Sequence, residues 1–220
     1  EDAKILDIEN SIAYLKISSF QKTTADELDA ALWKLHHEGM RSLIIDLRGN
    51  PGGWLDASVA VADRFISEGA IVSTRGKNGI ENQNYTAGRS GTWQLPLVVL
   101  IDDQSASASE ILAGAIRDNN RGILVGSTTY GKGSVQGLFH TKSLDCGIRL
   151  TVSKFYSPSG RAISDLGVQP NVSVPRESAT RFVAKPVPGQ HTIPSDPDLK
   201  VALDQARSNG FAGFVSTQTR

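Results

Sequence analysis

Cysteine and long apolar runs are almost missing from this sequence, and each absence excludes a class of protein. Cys146 is the only cysteine, so neither an intrachain disulfide framework nor a multi-cysteine metal site can form. No apolar run approaches the roughly 18 residues that a transmembrane helix needs. The first ten residues have neither the basic nor the apolar region of a signal peptide. We therefore expect neither a signal peptide nor an integral membrane segment.

An excess of charge of one sign is also lacking. The 23 Lys and Arg residues balance the 23 Asp and Glu residues, and the basic residues form no stripe along the sequence. Binders of nucleic acid or of anionic membrane surfaces usually carry such a stripe. We therefore expect no nucleic-acid partner.

The length and the order of the patterns predict an α/β protein. At 220 residues the chain can bury about 70% of the surface that it exposes when unfolded, which is enough for one core. Strand and helix patterns alternate from the start, and this order is typical of βαβ units with a parallel sheet. We expect an α/β core over 1–175, with additional β strands, and a proline-rich extension over 176–220 with a terminal helix.

The individual elements follow from periodicity and from start and stop signals. The first helix is predicted to begin with a capping box of Thr24 and Glu27 and to end at Gly39, and the last to use Asp196 as cap and Gly210 as stop. The predicted strands lie at 11–17, 42–47, 71–74, 97–101, 123–125, 135–139 and 147–155, the other helices at 55–66 and up to about Asp118, and a hairpin or exposed loop at 76–91.

Two turns have compositions that are unusual for simple connections between strands and helices. The first, at 48–53, has three glycines and a proline, so its backbone must be unusually accessible. The second follows the apolar strand at 97–101 and contains Ser105, Ser107 and Ser109, alternating with alanines, before a helix begins. Unpaired N–H groups at a helix start would stabilise an oxyanion beside a serine there. Taken alone, such serines are better explained by helix capping, and their spacing does not choose among the three.

A lysine between two glycines makes catalysis the better interpretation. Lys132 lies between Gly131 and Gly133 and so has no neighbouring side chains, which is unusual for a solvated surface lysine. A lysine can act as a general base only when it is neutral. The reference pKa of lysine is about 10.4, and burial lowers it. We therefore expect Lys132 to be largely removed from solvent. No G-x-S-x-G motif is present, His36 and His37 are expected on the surface of the first helix, and His140 is a weaker alternative base.

Four motifs carry a family resemblance. They are D-L-R-G-N-P-G-G at 46–53, S-A-S-A-S-E-I at 105–111, Y-G-K-G-S-V-Q at 130–136 and L-T-V-S-K-F-Y-S-P-S-G-R at 150–161. Together they resemble the C-terminal processing peptidases, also called tail-specific proteases, and the resemblance covers nearly all of 5–175. It implies Ser107 as nucleophile, Lys132 as base and Gln136 as the residue that orients the lysine.

The resemblance also implies the oxyanion hole. One donor is the amide of Ala108, which follows the nucleophile, and the other is a glycine amide of the N-P-G-G turn. We favour Gly52 for this role and keep Gly53 as the alternative, because a Cβ there would obstruct the substrate carbonyl. Glu110 and Asp118 match acidic positions of the family, and we interpret Glu110 as a first-turn helix residue and Asp118 as structural.

The function implied is that of a serine endopeptidase that cleaves proteins or peptides near their C-terminal tails. No metal or cofactor is expected, a substrate strand is predicted to add to the β edge at 135–139 or 148–155, and homo-oligomerisation is left open. The resemblance further implies a crotonase-like or ClpP-like core, an extracytoplasmic location and a PDZ domain before about Ile5, which this sequence does not contain. The alternatives are a ligand-binding protein like the interphotoreceptor retinoid-binding proteins and a hydrolase of esters or thioesters.

Overall fold

The computed structural model describes residues 3–77, 79, 82–140, 147–175 and 196–212. Cys146, His191 and most of the predicted proline-rich extension lie outside these residues. The elements in chain order are β1 (Ala3–Asp7), β2 (Ile12–Lys16), α1 (Thr24–His37), β3 (Ser42–Asp46), α2 (Leu55–Ala62), β4 (Ala70–Gly76), β5 (Gln83–Thr86), β6 (Leu97–Ile101), α3 (Ala108–Asp118), β7 (Ile123–Gly126), β8 (Ser134–His140), β9 (Gly147–Tyr156), β10 (Val172–Ser173) and α4 (Pro197–Ala212).

The central sheet confirms the predicted α/β class. Its strand order is β1-β2-β3-β6-β7-β10, and every neighbouring pair except β1 and β2 is parallel. The strands β2 and β3 pair in parallel with α1 between them in the chain, which is the predicted βαβ unit. The carboxyl ends of β3 and β6 lie side by side, and the two unusual turns follow these two strands.

Helices cover both faces of the central sheet. In β3 all five residues are buried, because alternate side chains enter two different apolar layers. Leu43 and Ile45 pack in the layer formed with α1, α2 and α3, whereas Ile44 packs in the layer formed with α4. The apolar run at 43–45 within this strand therefore reflects burial on both faces.

The last helix packs on the sheet through one apolar stripe. Leu199, Ala202, Leu203 and Ala206 are buried against side chains of β2, β3, β6 and β7, and their spacing of three and four residues is that of one helix face. The predicted cap is confirmed, because the Asp196 carboxylate accepts a hydrogen bond of 3.0 Å from the Leu199 N–H. The predicted stop is wrong, since the helix continues through position 210 to Ala212.

A second sheet carries the antiparallel strands in the order β5-β4-β9-β8, so β8 is one of its edges. The predicted hairpin within 76–91 corresponds to the pairing of β4 with β5. The strands β8 and β9 form a long antiparallel pair with a register shift between Val135 and Gln136.

Several boundaries differ from the prediction. The capping box at Thr24 is wrong, because Thr24 is already helical and its hydroxyl accepts the Gln21 N–H instead. The helix α1 does end just before Gly39, which has a φ of +93°, as predicted. The helix α2 ends at Ala62, four residues before the predicted end. The short strands β1 and β10 were not predicted.

No helix in the part of the chain that the structure describes has the length and apolar character needed to cross a bilayer.

Truncating one core side chain of α4 tests whether this helix stabilises the fold. Leu203 is only 3% exposed, so we expect Leu203→Ala to lower the free energy of unfolding by about 2–5 kcal/mol through lost burial and the cavity left behind. Urea denaturation followed by fluorescence measures this change. The control is Lys200→Ala on the exposed face of the same helix, for which we expect a change within about 0.5 kcal/mol. Equal effects of the two substitutions would contradict the packing of α4.

Candidate active site

The serine turn has an unusual backbone at one residue. Ser107 precedes α3 and has a φ of 56° and a ψ of −112°. A non-glycine residue with a positive φ is uncommon, and strain of this kind is found preferentially at functional sites. Ser107 is also partly exposed. The turn therefore presents this serine in a conformation that the surrounding structure must hold in place.

The two flanking serines have structural contacts. Ser105 and Ser109 are both fully buried. The Ser105 hydroxyl donates to the Leu47 carbonyl at 2.8 Å, and the Ser109 hydroxyl donates to the Asn50 carbonyl at 3.0 Å. The Ser105 hydroxyl thus binds the residue just before the glycine turn, and the Ser109 hydroxyl binds the glycine turn itself. Burial and these hydrogen bonds therefore distinguish Ser105 and Ser109 from the partly exposed Ser107, whereas the spacing of the three serines does not.

The glycine turn is fixed against the serine turn through its backbone. The Gly49 N–H donates to the Asp102 carboxylate at 3.0 Å, and the Ala106 N–H donates to the Asn50 carbonyl at 2.9 Å. The Asn50 side chain is fully buried and donates to the Ile17 carbonyl at 2.8 Å. These contacts hold the two turns together at the carboxyl ends of β3 and β6.

Gly52 approaches Ser107 so closely that no side chain would fit. A Cβ at this position would lie 2.6 Å from the Ala106 carbonyl oxygen, 2.8 Å from the Ser107 Cβ and 2.9 Å from the Ala108 nitrogen. Gly52 also has a φ of +101°, which favours glycine. The glycine is therefore required by the close approach of the two turns.

The amides near Gly52 differ in their hydrogen bonds. The Gly52 N–H donates to the Asn50 Oδ1 at 2.8 Å. The N–H groups of Ala108 and Gly53 have no acceptor among the described residues. For Gly52 to serve as an oxyanion donor, its bond to Asn50 would have to be exchanged for one to the substrate.

A buried carboxylate connects the serine turn to the lysine turn. Glu110 is fully buried, and its Oε2 accepts the Ser107 N–H and the Lys132 N–H, each at 2.8 Å. Its Oε1 accepts the Thr129 hydroxyl at 2.6 Å and the Gly131 N–H at 2.7 Å. Because Ser107 and Lys132 share one oxygen, their backbone nitrogens cannot be further apart than twice 2.8 Å.

The sequence interpretation of Glu110 as a first-turn helix residue was therefore incomplete. Glu110 does lie in the first turn of α3, but its carboxylate also binds a turn about 20 residues further along the chain. The available signal was the spacing of Ser107 and Glu110, which is that of a capping box. This spacing shows that the glutamate points back along the helix, but it cannot show which other segment the same carboxylate reaches.

The glycines that flank Lys132 are explained by a neighbouring segment. A Cβ on Gly133 would lie 2.2 Å from the Ser164 nitrogen, and one on Gly131 would lie 3.2 Å from the Asp165 backbone. The Asp165 N–H donates to the Gly131 carbonyl at 2.9 Å, and the Ser164 hydroxyl donates to the Gly133 carbonyl at 2.9 Å. The lysine turn is thus packed between this segment and Glu110.

The side chain of Lys132 contradicts one expectation. The residue is exposed, so the expectation that it is largely removed from solvent is wrong. The structure brings the backbone of Lys132 to that of Ser107 but does not bury the ammonium group. Gln136 is also exposed, at the register shift of the edge strand β8.

The remaining candidates have other surroundings. His36 and His37 are exposed on α1, as expected, and the side chain of His140 lies outside the described part. Asp118 is half-buried at the end of α3 and accepts the Ser159 N–H at 3.0 Å. Burial alone would raise the pKa of Asp118, but hydrogen bonds from Ser157 and Ser159 hold it below its ordinary value. Within the described ranges, no group of three His, Cys, Asp or Glu side chains is placed to hold a metal ion.

Comparison with curated proteins gives relatives over most of the chain. A "Carboxyl-terminal-processing protease" of Synechocystis sp. is 38% identical over 194 residues, which cover 88% of this chain and 43% of the relative. A "Carboxy-terminal-processing protease" of Bartonella bacilliformis is 38% identical over 214 residues, which cover 94% of this chain and 49% of the relative. The chain therefore spans less than half the length of these two relatives.

Solved structures agree with these relatives. A photosystem II D1 C-terminal processing protease superposes with a TM-score of 0.69 at 35% identity, over 74% of this chain and 42% of that chain. Mature CPAF superposes with a TM-score of 0.62 at 16% identity, which shows a shared fold alone. The profile of Peptidase family S41 matches residues 11–174, and the chain belongs to this family of serine peptidases.

Proposed function

We propose that the chain is the catalytic core of a serine endopeptidase that cleaves protein or peptide substrates, with Ser107 as nucleophile and Lys132 as general base. The observation that carries this proposal is the buried Glu110 carboxylate, which binds the backbone N–H groups of both residues on one oxygen. The positive φ of Ser107 supports it further, because strained backbone conformations of this kind cluster at active sites.

The proposed reaction is acyl transfer. The Ser107 hydroxyl loses its proton to neutral Lys132 as its oxygen attacks the scissile carbonyl. The Ala108 N–H and a glycine N–H donate to the oxyanion of the tetrahedral intermediate. Lys132 then gives its proton to the leaving amine, and the C–N bond breaks. Water hydrolyses the resulting ester, which returns the serine hydroxyl and releases the acid.

The second oxyanion donor comes from the glycine turn in this proposal. Gly52 lies against Ser107 and Ala108, which favours it by position. Its N–H is held by Asn50, however, whereas the Gly53 N–H has no acceptor among the described residues. We keep Gly52 as the favoured donor and infer that substrate binding exchanges its bond to Asn50.

Substrate binding also has to change the surroundings of Lys132. A general base must be neutral when it accepts the proton, and Lys132 is exposed in the free protein. We propose that a substrate strand adds to the edge strand β8, where Gln136 lies, and covers the lysine turn. From the resemblance to the processing proteases, we also propose that this chain cleaves its substrates near their C-terminal tails. On the same ground we propose an extracytoplasmic location.

Removing either proposed catalytic side chain tests the assignment. We expect Ser107→Ala and Lys132→Ala each to lower the hydrolysis of casein by at least about 10³-fold, because nucleophile and base act as a unit. Release of labelled peptides from casein measures the rate. The controls are Ser90→Ala and Lys154→Ala, which remove an exposed serine and an exposed lysine elsewhere. Equal cleavage by all five proteins would show that the assignment is wrong.

The dependence of activity on pH tests the base. Because lysine accepts a proton only in its neutral form, we expect kcat/KM to rise with pH between 6 and 9, by up to about tenfold for each unit. Peptide hydrolysis is measured at each pH, with fluorescence as the control for the folded fraction. A flat profile over this range would contradict Lys132 as the base.

Replacing the shared carboxylate tests the link between the two turns. In Glu110→Gln an NH₂ group replaces an oxygen that accepts N–H groups, so we expect a loss of about 1–3 kcal/mol of stability. We also expect kcat/KM to fall by about 10- to 100-fold, because the base moves away from the nucleophile. Urea denaturation and peptide hydrolysis measure the two effects. Glu27→Gln is the matched control in the first turn of α1, where the glutamate is exposed, and equal effects in both variants would refute the link.

A further inference from the structure

Outside the serine and lysine turns, the structure has a charged cluster centred on Arg48. The Arg48 Nε donates to the Asp46 Oδ1 at 3.0 Å and its Nη2 donates to the Asp46 Oδ2 at 2.7 Å. Its Nη1 lies 2.9 Å from the Asp196 Oδ1 and 2.8 Å from the Asp196 Oδ2. The guanidinium is thus held between a carboxylate at the end of β3 and one at the start of α4. We call this arrangement the Arg48 clasp.

Asp46 anchors the clasp to the sheet. Its side chain is only 1% exposed, and its Oδ2 also accepts the Tyr14 hydroxyl at 2.8 Å. Burial would raise the pKa of Asp46, but the Arg48 guanidinium and its hydrogen bonds hold that pKa below its usual value. This side of the clasp is therefore charged and fixed at neutral pH.

Asp196 connects the clasp to α4. Its Oδ1 accepts both the Arg48 Nη1 and the Leu199 N–H, at 2.9 and 3.0 Å. One carboxylate therefore begins the helix and binds the arginine. Asp198, in the first turn of the helix, lies 3.5 Å from the same guanidinium nitrogen. Docking of α4 and the position of Arg48 depend on each other.

The backbone of Arg48 leads directly into the glycine turn. The Arg48 N–H donates to the Asp46 Oδ1 at 2.9 Å, and the Arg48 carbonyl accepts the Lys16 ammonium at 3.1 Å. The next residue, Gly49, donates to the Asp102 carboxylate of the serine turn. The position of Arg48 therefore determines where the turn with Gly52 begins.

We propose that α4 positions the active site through the Arg48 clasp. In this proposal Asp196 is a positioning residue, which acts on the oxyanion donors of the glycine turn through Arg48 and touches no substrate. The helix lies beyond residues 11–174, which the family profile matches, so the site depends on a segment outside that region. This inference rests on the proposed function of the glycine turn.

Two substitutions at Asp196 separate its two roles. Asp196→Asn keeps a good helix cap but loses the charged partner of Arg48, whereas Asp196→Glu keeps the carboxylate but is a poor cap. If only the stability of α4 matters, the glutamate variant is the more impaired. If the clasp matters, the asparagine variant is the more impaired.

A control of equal charge lies at the other end of α4. Arg207 donates to the Asp7 carboxylate at 2.7 Å, and this pair is remote in the chain from the glycine turn. Asp7→Asn therefore removes one ion pair of the same helix and leaves the clasp intact.

The experiment uses the full chain and two measurements. The first is the rate constant at which a peptidyl phosphonate probe, whose peptide can add to β8 as a substrate strand does, labels Ser107, since this reaction needs both the nucleophile and the oxyanion donors. The second is hydrogen exchange of the amides over 48–54, which requires no activity. We expect Asp196→Asn to slow labelling about tenfold, in line with a small displacement of catalytic groups, and to speed exchange in this segment. We expect Asp196→Glu and Asp7→Asn to stay within about twofold of the unchanged chain in both measurements.

The outcomes separate this inference from the proposed function. Equal labelling and exchange in Asp196→Asn and Asp7→Asn would overturn the inference. A stronger effect of Asp196→Glu than of Asp196→Asn would also overturn it. If the unchanged chain is not labelled at Ser107, the proposed function is wrong, and the exchange comparison still decides whether α4 positions the glycine turn. If Asp196→Asn fails to fold, Asp198→Asn takes its place. We expect it to slow labelling and speed exchange in the same way, but less strongly. An Asp198→Asn protein that matches the unchanged chain in both measurements would contradict the proposal.

Discussion

The candidate site depends on one buried carboxylate. A charged group in a protein interior is costly unless hydrogen bonds compensate for the lost water. Glu110 has four donors, three of them backbone N–H groups. Because these donors come from the start of α3 and from the turn before β8, neither segment can move without leaving the carboxylate unsatisfied. Serine turn and lysine turn therefore behave as one unit.

Asp46 uses the same principle at the neighbouring strand. It is almost fully buried and is compensated by Tyr14 and Arg48. The hydrogen bonds of Asp46 fix Arg48, which follows β3 in the chain. The hydrogen bonds of Glu110 fix Ser107 in the same way. Both turns follow adjacent parallel strands at the same edge of the sheet, where ligands of open α/β sheets usually bind. Two buried carboxylates thus fix the positions of the turns that contain Ser107, Lys132 and Gly52, and the missing Cβ of Gly52 lets it lie close to Ser107.

The sequence predicted what local patterns determine. The buried strands β3 and β6, the end of α3 at Asp118 and the cap of α4 at Asp196 all follow from periodicity and capping, and the structure confirms them. The short strands β1 and β10 were not predicted, because their pairing depends on partners far along the chain. The hydrogen bonds that Glu110 accepts from the lysine turn were not predicted for the same reason. The glycines beside Lys132 were noticed, but their cause is the backbone at Ser164 and Asp165, which no local pattern reveals.

Lys132 was expected to be removed from solvent but is exposed, and this difference bears directly on the proposed reaction. The expectation assumed that a catalytic lysine must be buried in the free protein, whereas the chemistry requires only that it be neutral when the proton moves. The Glu110 network fixes the backbone of Lys132 and leaves its side chain in solvent. The position of the proposed base is thus set by the fold, and its desolvation depends on what covers the lysine turn. We infer that a substrate strand on β8 performs this step, because that edge begins two residues after the lysine. In this proposal the serine is activated only when a substrate is present, which limits reaction of the proposed nucleophile in the free protein.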